Sequence, residues 1–114
     1  MVTHSREQLI FHAVAEPTRR RLLDNLSRGP RSAGHLAREF RSSRPAVSKH
    51  LRILRKARLV RVHRLGRHQI YALTPAPLEK IERWVARYQA FWNARLEEPT
   101  EFGEWPPRDG GQAG

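Results

Sequence analysis

Apolar residues recur along this chain at helical spacing, except for one stretch past the middle where they alternate with polar ones. Ser5-Arg6-Glu7-Gln8 sets a hydroxyl three residues before an amide, the spacing of a capping box, and predicts a first helix from Arg6 to about Ala15. Leu9, Ile10, Ala13 and Val14, with Phe11 beside them, leave it little polar surface, so it needs cover on more than one side. Glu16-Pro17 ends it and opens a second helix, Thr18 to Ser27, with Leu22, Leu23 and Leu26 inward and Arg19, Arg20 and Arg21 near its start. Gly29-Pro30 closes that helix, because glycine takes the left-handed C-terminal conformation and proline cannot continue. Ser32 then caps a short third helix through Phe40, with Leu36, Ala37 and Phe40 apolar.

After the turn Arg41-Ser42-Ser43 comes the stretch that the others serve. Ser43 is placed to cap a fourth helix running to Lys56, and Pro45 falls in the first turn, where a missing N–H costs nothing. Val47, Leu51 and Leu54 form one narrow apolar stripe at i, i+4 and i+7. The opposite side carries Pro45, Ser48, Lys49, Arg52 and Lys56, small hydroxyls and cations with no acid among them. Helix, short turn, helix is the helix-turn-helix arrangement. A face with short donors early and cations later suits a major groove.

Alternation takes over at Leu59-Val60-Arg61-Val62-His63 and again at His68-Gln69-Ile70-Tyr71-Ala72-Leu73, around the loop Arg64-Leu65-Gly66-Arg67. This predicts a β-hairpin with Val60, Val62, Tyr71 and Leu73 packed on the helices and Arg64 and Arg67 at the tip. A hairpin directly after a helix-turn-helix is a wing, and a basic tip can track phosphates or enter a minor groove. Thr74-Pro75-Ala76-Pro77 leads into a last helix, Leu78 to Leu96, where Leu78, Ile81, Val85, Tyr88 and Trp92 make a seam of coiled-coil type that Trp84 and Phe91 widen. The large aromatics of this helix need cover, and a second copy of the chain supplies it best. The expected dimer interface is Leu9, Ile10 and Phe11 with Ile81, Trp84, Val85, Tyr88, Phe91 and Trp92. Residues 1–97 read as one domain, and 98–114, rich in Pro, Gly and acids, as a flexible tail in which Trp105 has no assigned place.

Charge sharpens this. The 114 residues hold 22 Lys and Arg against 11 Asp and Glu, a net charge of +11. From Phe40 to Leu78 there is no acid, while Arg41, Arg44, Lys49, Arg52, Arg55, Lys56, Arg58, Arg61, Arg64 and Arg67 supply ten cations. Eleven less ten leaves +1 for the rest. One basic segment between near-neutral flanks is the footprint of a polyanion surface. There is no cysteine, which excludes disulfides and thiolate metal sites. No apolar run is long enough to span a bilayer and the first residues have no signal-peptide core, so the expected location is cytoplasmic, with no membrane partner. No Ser–His–acid spacing, paired carboxylates or glycine-rich phosphate loop supports an enzyme.

Ser43 through Leu54, followed by Ala57-Arg58-Leu59-Val60, resembles the signature of the ArsR family of bacterial winged-helix repressors. The likeness runs upstream to Ala15-Glu16-Pro17-Thr18-Arg19 and His35-Leu36-Ala37, and downstream to Gly66-Arg67 and Tyr71-Ala72-Leu73, covering residues 6 to 96. It implies a mainly α fold with a small β-hairpin, a winged helix-turn-helix dimerised through its first and last helices. It further implies a homodimeric repressor on double-stranded DNA at an inverted-repeat operator. By that resemblance and the residue pattern together, the expected DNA-binding residues are Ser43, Arg44, Ser48, Lys49, His50, Arg52, Arg64, Arg67 and His68. The alternative is a nonspecific nucleic-acid-binding protein, architectural or RNA-binding.

The departures from the family pattern also speak. Metal-sensing relatives carry Cys-x-Cys where this chain has Ser32 and Gly34, and others place Asp and His on the last helix, which here has neither. No metal and no cofactor is expected, and an effector, small molecule or protein, is left open. His63 and His68 should face each other across the wing, where contact with DNA backbone or solvent outweighs a two-ligand metal site. His12 and His35 read as helix-surface or dimer-edge residues. Arg41 and Arg58 replace two turn glycines common in the family. A non-glycine in a left-handed turn costs roughly 1–2 kcal/mol, so either the backbone differs there or added phosphate contacts compensate.

Overall fold

The structure is a computed structural model that describes residues 5–97. It forms two compact units, one through Ile81 and one from Glu82 on. In the first, α1 (Arg6–Val14), α2 (Pro17–Leu26), α3 (Ala33–Glu39) and α4 (Arg44–Lys56) precede a hairpin of β2 (Val60–Leu65) and β3 (His68–Leu73). The predicted caps form. Ser5 Oγ accepts from the Gln8 N–H while Gln8 Oε1 accepts from the Ser5 N–H. Ser32 and Ser43 cap α3 and α4 through the N–H groups of His35 and Ala46. Glu16 caps α2, its carboxylate accepting from the Arg19 N–H at 2.9 Å.

Ile10, Leu22, Leu36, Val47, Leu51, Leu54 and Leu59 are the largest fully buried side chains, so one core joins all four helices to the root of the wing. The stripe Val47, Leu51, Leu54 seats α4 on that core and leaves its cationic side outward. Val60 pairs with Leu73 and Val62 with Tyr71, so the four share a face, as the alternation predicts. Ala72, on the other face, is buried as well.

Four expectations need correction. A two-residue strand, β1 (Arg31–Ser32), pairs antiparallel with β3 and makes the sheet three-stranded in the order β1-β3-β2. Two residues carry no readable period, and only the long-range partner makes them a strand. The hairpin loop shrinks to Gly66-Arg67: Arg64 is in β2, opposite Gln69. Gly66, at φ +63°, occupies the first loop position, where a two-residue turn with one positive φ demands glycine. His63 pairs with Ile70 and His68 with Leu65, so the two histidines are diagonal neighbours rather than opposite ones.

The last helix is the fourth. It is divided into α5 (Glu79–Ala86), entered from a 3-10 turn at Ala76–Leu78, and α6 (Gln89–Glu97). At the break the Arg87 and Tyr88 N–H groups donate to the Trp84 and Val85 carbonyls, tightening the chain to i→i+3 bonds. Neither proline nor glycine marks the spot, so the seam's periodicity runs straight through it. The aromatic ladder also persists across it: Tyr88 meets Trp84 edge-on at 5.6 Å between centroids and stacks near Trp92 at 6.4 Å. The tail at 98–114, with Trp105, lies outside the described residues.

Candidate nucleic-acid interface

The expected DNA-contacting residues fall into two groups. Arg44, Lys49 and Arg52 on α4, and Arg64, Arg67 and His68 on the wing, are exposed. The other three are committed to the fold to differing degrees. Ser43 is exposed, but its hydroxyl oxygen serves as the N-cap acceptor. Ser48 is half-buried. His50 is also half-buried, and its Nδ1 faces inward, 3.2 Å from Arg19 Nη1 and 4.0 Å from Glu16 Oε1. A guanidinium only donates, so Nδ1 accepts and the ring proton sits on Nε2. His50 therefore ties α4 to the start of α2, and only its Nε2–H is left to meet DNA.

Arg19 makes that tie possible, and nothing in the charge pattern singles it out from Arg20 and Arg21. It is 7 % exposed, and its Nε and Nη2 donate to the carbonyls of Ala13 and His12 at 2.9 and 3.2 Å. Arg20 Nη1 donates to the Val14 carbonyl at 2.8 Å. These are carbonyls of the last turn of α1, of which that of His12 also accepts from the Ala15 N–H, and cations there suit the helix dipole. One buried guanidinium thus joins the ends of α1, α2 and the middle of α4, fixing the attitude of the recognition helix. On the wing, Arg61 donates to the Leu73 carbonyl and Thr74 Oγ1, and Arg64 Nε to the Gly66 carbonyl, so both stiffen the ribbon they sit on. Leu65, beside the loop, is 63 % exposed.

Two carboxyls lie below their usual range. The Arg19 backbone N–H holds Glu16 down, with a smaller contribution from the charge of the Arg19 guanidinium. The Asn25 side-chain amide does the same for Glu39, aided by His35, whose Nε2 lies 3.0 Å from its Oε1. A carboxyl whose pKa is lower folded than unfolded adds stability above its ordinary pKa, and that stability disappears as pH falls through the folded value. Melting temperature should therefore fall below about pH 4.5, and Glu16→Gln should flatten that acid limb while lowering the plateau at pH 7. A variant that keeps the full acid slope would show that Glu16 has no share in it.

The expected dimer residues also divide. Ile10 has no exposed surface in the single chain and fills its core, so it is removed from the interface set. Leu9 and Ile81 are half-buried and pack on the same core, and Phe11 and Val85 are half-buried. Trp84, Tyr88, Phe91 and Trp92 are 42–43 % exposed. Among the described residues no group of three or more His, Asp or Glu could hold a metal ion, and no helix is long and apolar enough to cross a membrane.

A capped helix on a three-helix base, its outer side cationic, followed by a basic ribbon, defines a winged helix-turn-helix DNA-binding protein. Residues 14–63 match the family model described as a helix-turn-helix domain. The chain is 37% identical over 79 residues to the transcriptional repressor SdpR of Bacillus subtilis (strain 168), covering 69% of this chain and 88% of that one. It is 38% identical over 96 residues to the HTH-type transcriptional regulator Rv2034 of Mycobacterium tuberculosis (strain ATCC 25618 / H37Rv), covering 84% and 87%. Among solved structures, an ArsR-like transcriptional regulator from Rhodococcus sp. RHA1 superposes with a TM-score of 0.69 at 33% identity, covering 85% of this chain and 89% of that one. A crystal structure of an ArsR family transcriptional regulator gives 0.70 at 36% identity, covering 78% and 98%. The chain belongs to the ArsR family of transcriptional regulators. It is a DNA-binding regulator and not an enzyme.

Proposed function

We propose that the chain acts in the cytoplasm as a homodimeric repressor that occupies an inverted-repeat operator and blocks a promoter sterically. The observation that carries this is the acid-free outer side of α4, continuous in sequence with the basic wing and rigidly seated by Val47, Leu51 and Leu54. One feature supports the dimer: the exposed aromatics of α5 and α6, an apolar surface of the kind that a second copy covers. Two recognition helices would enter successive major grooves about 34 Å apart. Repression accords with the similarity to the transcriptional repressor SdpR.

Arg52 and Arg67 separate base reading from backbone tracking. Arg52→Ala should weaken operator binding by about 1–3 kcal/mol per copy and relax base preference. Arg67→Ala, at the wing loop, should weaken binding to every sequence alike. If both leave operator affinity unchanged, the helix and wing assignments are wrong. The decisive experiment is selection of bound duplexes from a random library by the purified protein, with its mass measured by sedimentation. A palindromic consensus bound by a dimer is the expected result. A monomer with no sequence preference would replace this reading with nonspecific nucleic-acid binding.

A further inference from the structure

The two turns that bracket α4 carry arginine where the backbone favours glycine. Arg41 has φ +52° and Arg58 φ +62°, and no other non-glycine residue has a positive φ among those described. Both occupy the same place in the same motif. After α3 the Ser42 N–H donates to the Ala37 carbonyl at 3.1 Å and the Arg41 N–H to the Arg38 carbonyl at 3.3 Å. After α4 the Leu59 N–H donates to Leu54 at 3.0 Å and the Arg58 N–H to Arg55 at 2.9 Å. These paired 6→1 and 5→2 bonds are the Schellman helix end, in which the left-handed residue is usually glycine because a Cβ crowds the neighbouring carbonyl. Each arginine therefore leaves the fold less stable than glycine would, and the chain accepts this twice.

Among the described residues nothing compensates. Both side chains are exposed, no carboxylate pairs with either among the described residues, and no acid occurs between Phe40 and Leu78. An anion beyond the described residues would compensate, and a nucleic-acid backbone supplies one. The position of the two arginines fits that source. The thirteen residues of α4 rise about 20 Å, whereas the major groove is about 12 Å wide. In a helix seated in the groove, residues just beyond its ends would lie toward the phosphates rather than the base edges.

We propose that Arg41 and Arg58 are paired phosphate anchors, one at each end of the recognition helix, which set its depth and tilt in the groove at the expense of fold stability. This rests on the DNA-binding reading and extends it to two residues outside both the helix and the wing.

The test uses the full chain, thermal melts and salt-dependent binding to a selected duplex, with Gly, Ala and Lys at each position. Arg41→Gly and Arg58→Gly should each raise Tm by roughly 4–8 °C. Each should also make the log–log salt slope shallower by about 0.9 per protomer. The Ala variants keep the Cβ and lose the charge, so they should lose the same slope without the gain in Tm. The Lys variants should hold the slope near that of the parent, again without the gain. Gly variants that bind with the parent's affinity and slope would overturn the anchors while leaving the DNA-binding reading intact, and Gly variants that fail to gain stability would overturn the strain. Absence of salt-dependent duplex binding by the parent chain itself would instead remove the DNA-binding reading, and this inference with it.

Discussion

Raising monovalent salt from about 50 to about 200 mM should lower the duplex affinity of the proposed dimer about 10⁴- to 10⁵-fold. Ten cations lie between Phe40 and Leu78 with no acid to screen them. Not all can touch phosphate at once. Arg61 is turned onto Leu73 and Thr74, and Arg64 is held through Nε by Gly66, leaving its outer nitrogens to face a backbone. With about 4–5 phosphates neutralised per protomer, counterion release predicts a log–log slope of −7 to −9 for the pair. The measurement is a binding isotherm at several salt concentrations on one duplex. A slope shallower than about −3 would place the interface somewhere other than on this basic surface.

The second large effect is on stability. Leu51→Ala should cost about 3–5 kcal/mol, a large share of the roughly 5–15 kcal/mol by which a domain of this size is stable. Leu51 has no exposed surface and lies in the middle of the stripe that seats α4, in one core with Leu22, Leu36, Leu54 and Leu59. Shortening it opens a cavity that neighbours on four helices cannot all collapse into. Denaturant unfolding would show a lower midpoint with an unchanged slope. Arg52→Ala, one residue along on the solvent side, should change stability by no more than about 0.5 kcal/mol. If Leu51→Ala cost under about 1 kcal/mol, α4 would not be anchored by this stripe. The pair of variants separates what holds the recognition helix from what it reads.

Most of the helix ends were legible because a cap is a local event. Ser5, Ser32 and Ser43 each bond an N–H three residues on, and both partners are a few residues of sequence apart. The core stripe of α4 and the facing set Val60, Val62, Tyr71 and Leu73 were legible for a related reason, since each repeats at the period of its own element. His50 was not. Its place on the helix follows from spacing, but its inward Nδ1 depends on Arg19, thirty-one residues earlier. The same holds for Arg19 itself, which looks like one of three equivalent cations until the end of α1 is folded against it. The break at Arg87-Tyr88 had no signal at all, because a turn tightened to i→i+3 bonds needs neither proline nor glycine.

The order of residues alone determined the winged helix-turn-helix, its caps, its apolar stripes and the acid-free basic segment, since each follows from neighbours within a few positions and from charge that no fold can change. Only the tertiary structure decided which cations belong to the protein and which are offered outward. It buried Arg19, turned His50 inward, took Ile10 into the core, and held Arg41 and Arg58 in left-handed turns. A side chain's partner is set by what packs against it, and packing partners here come from distant parts of the chain.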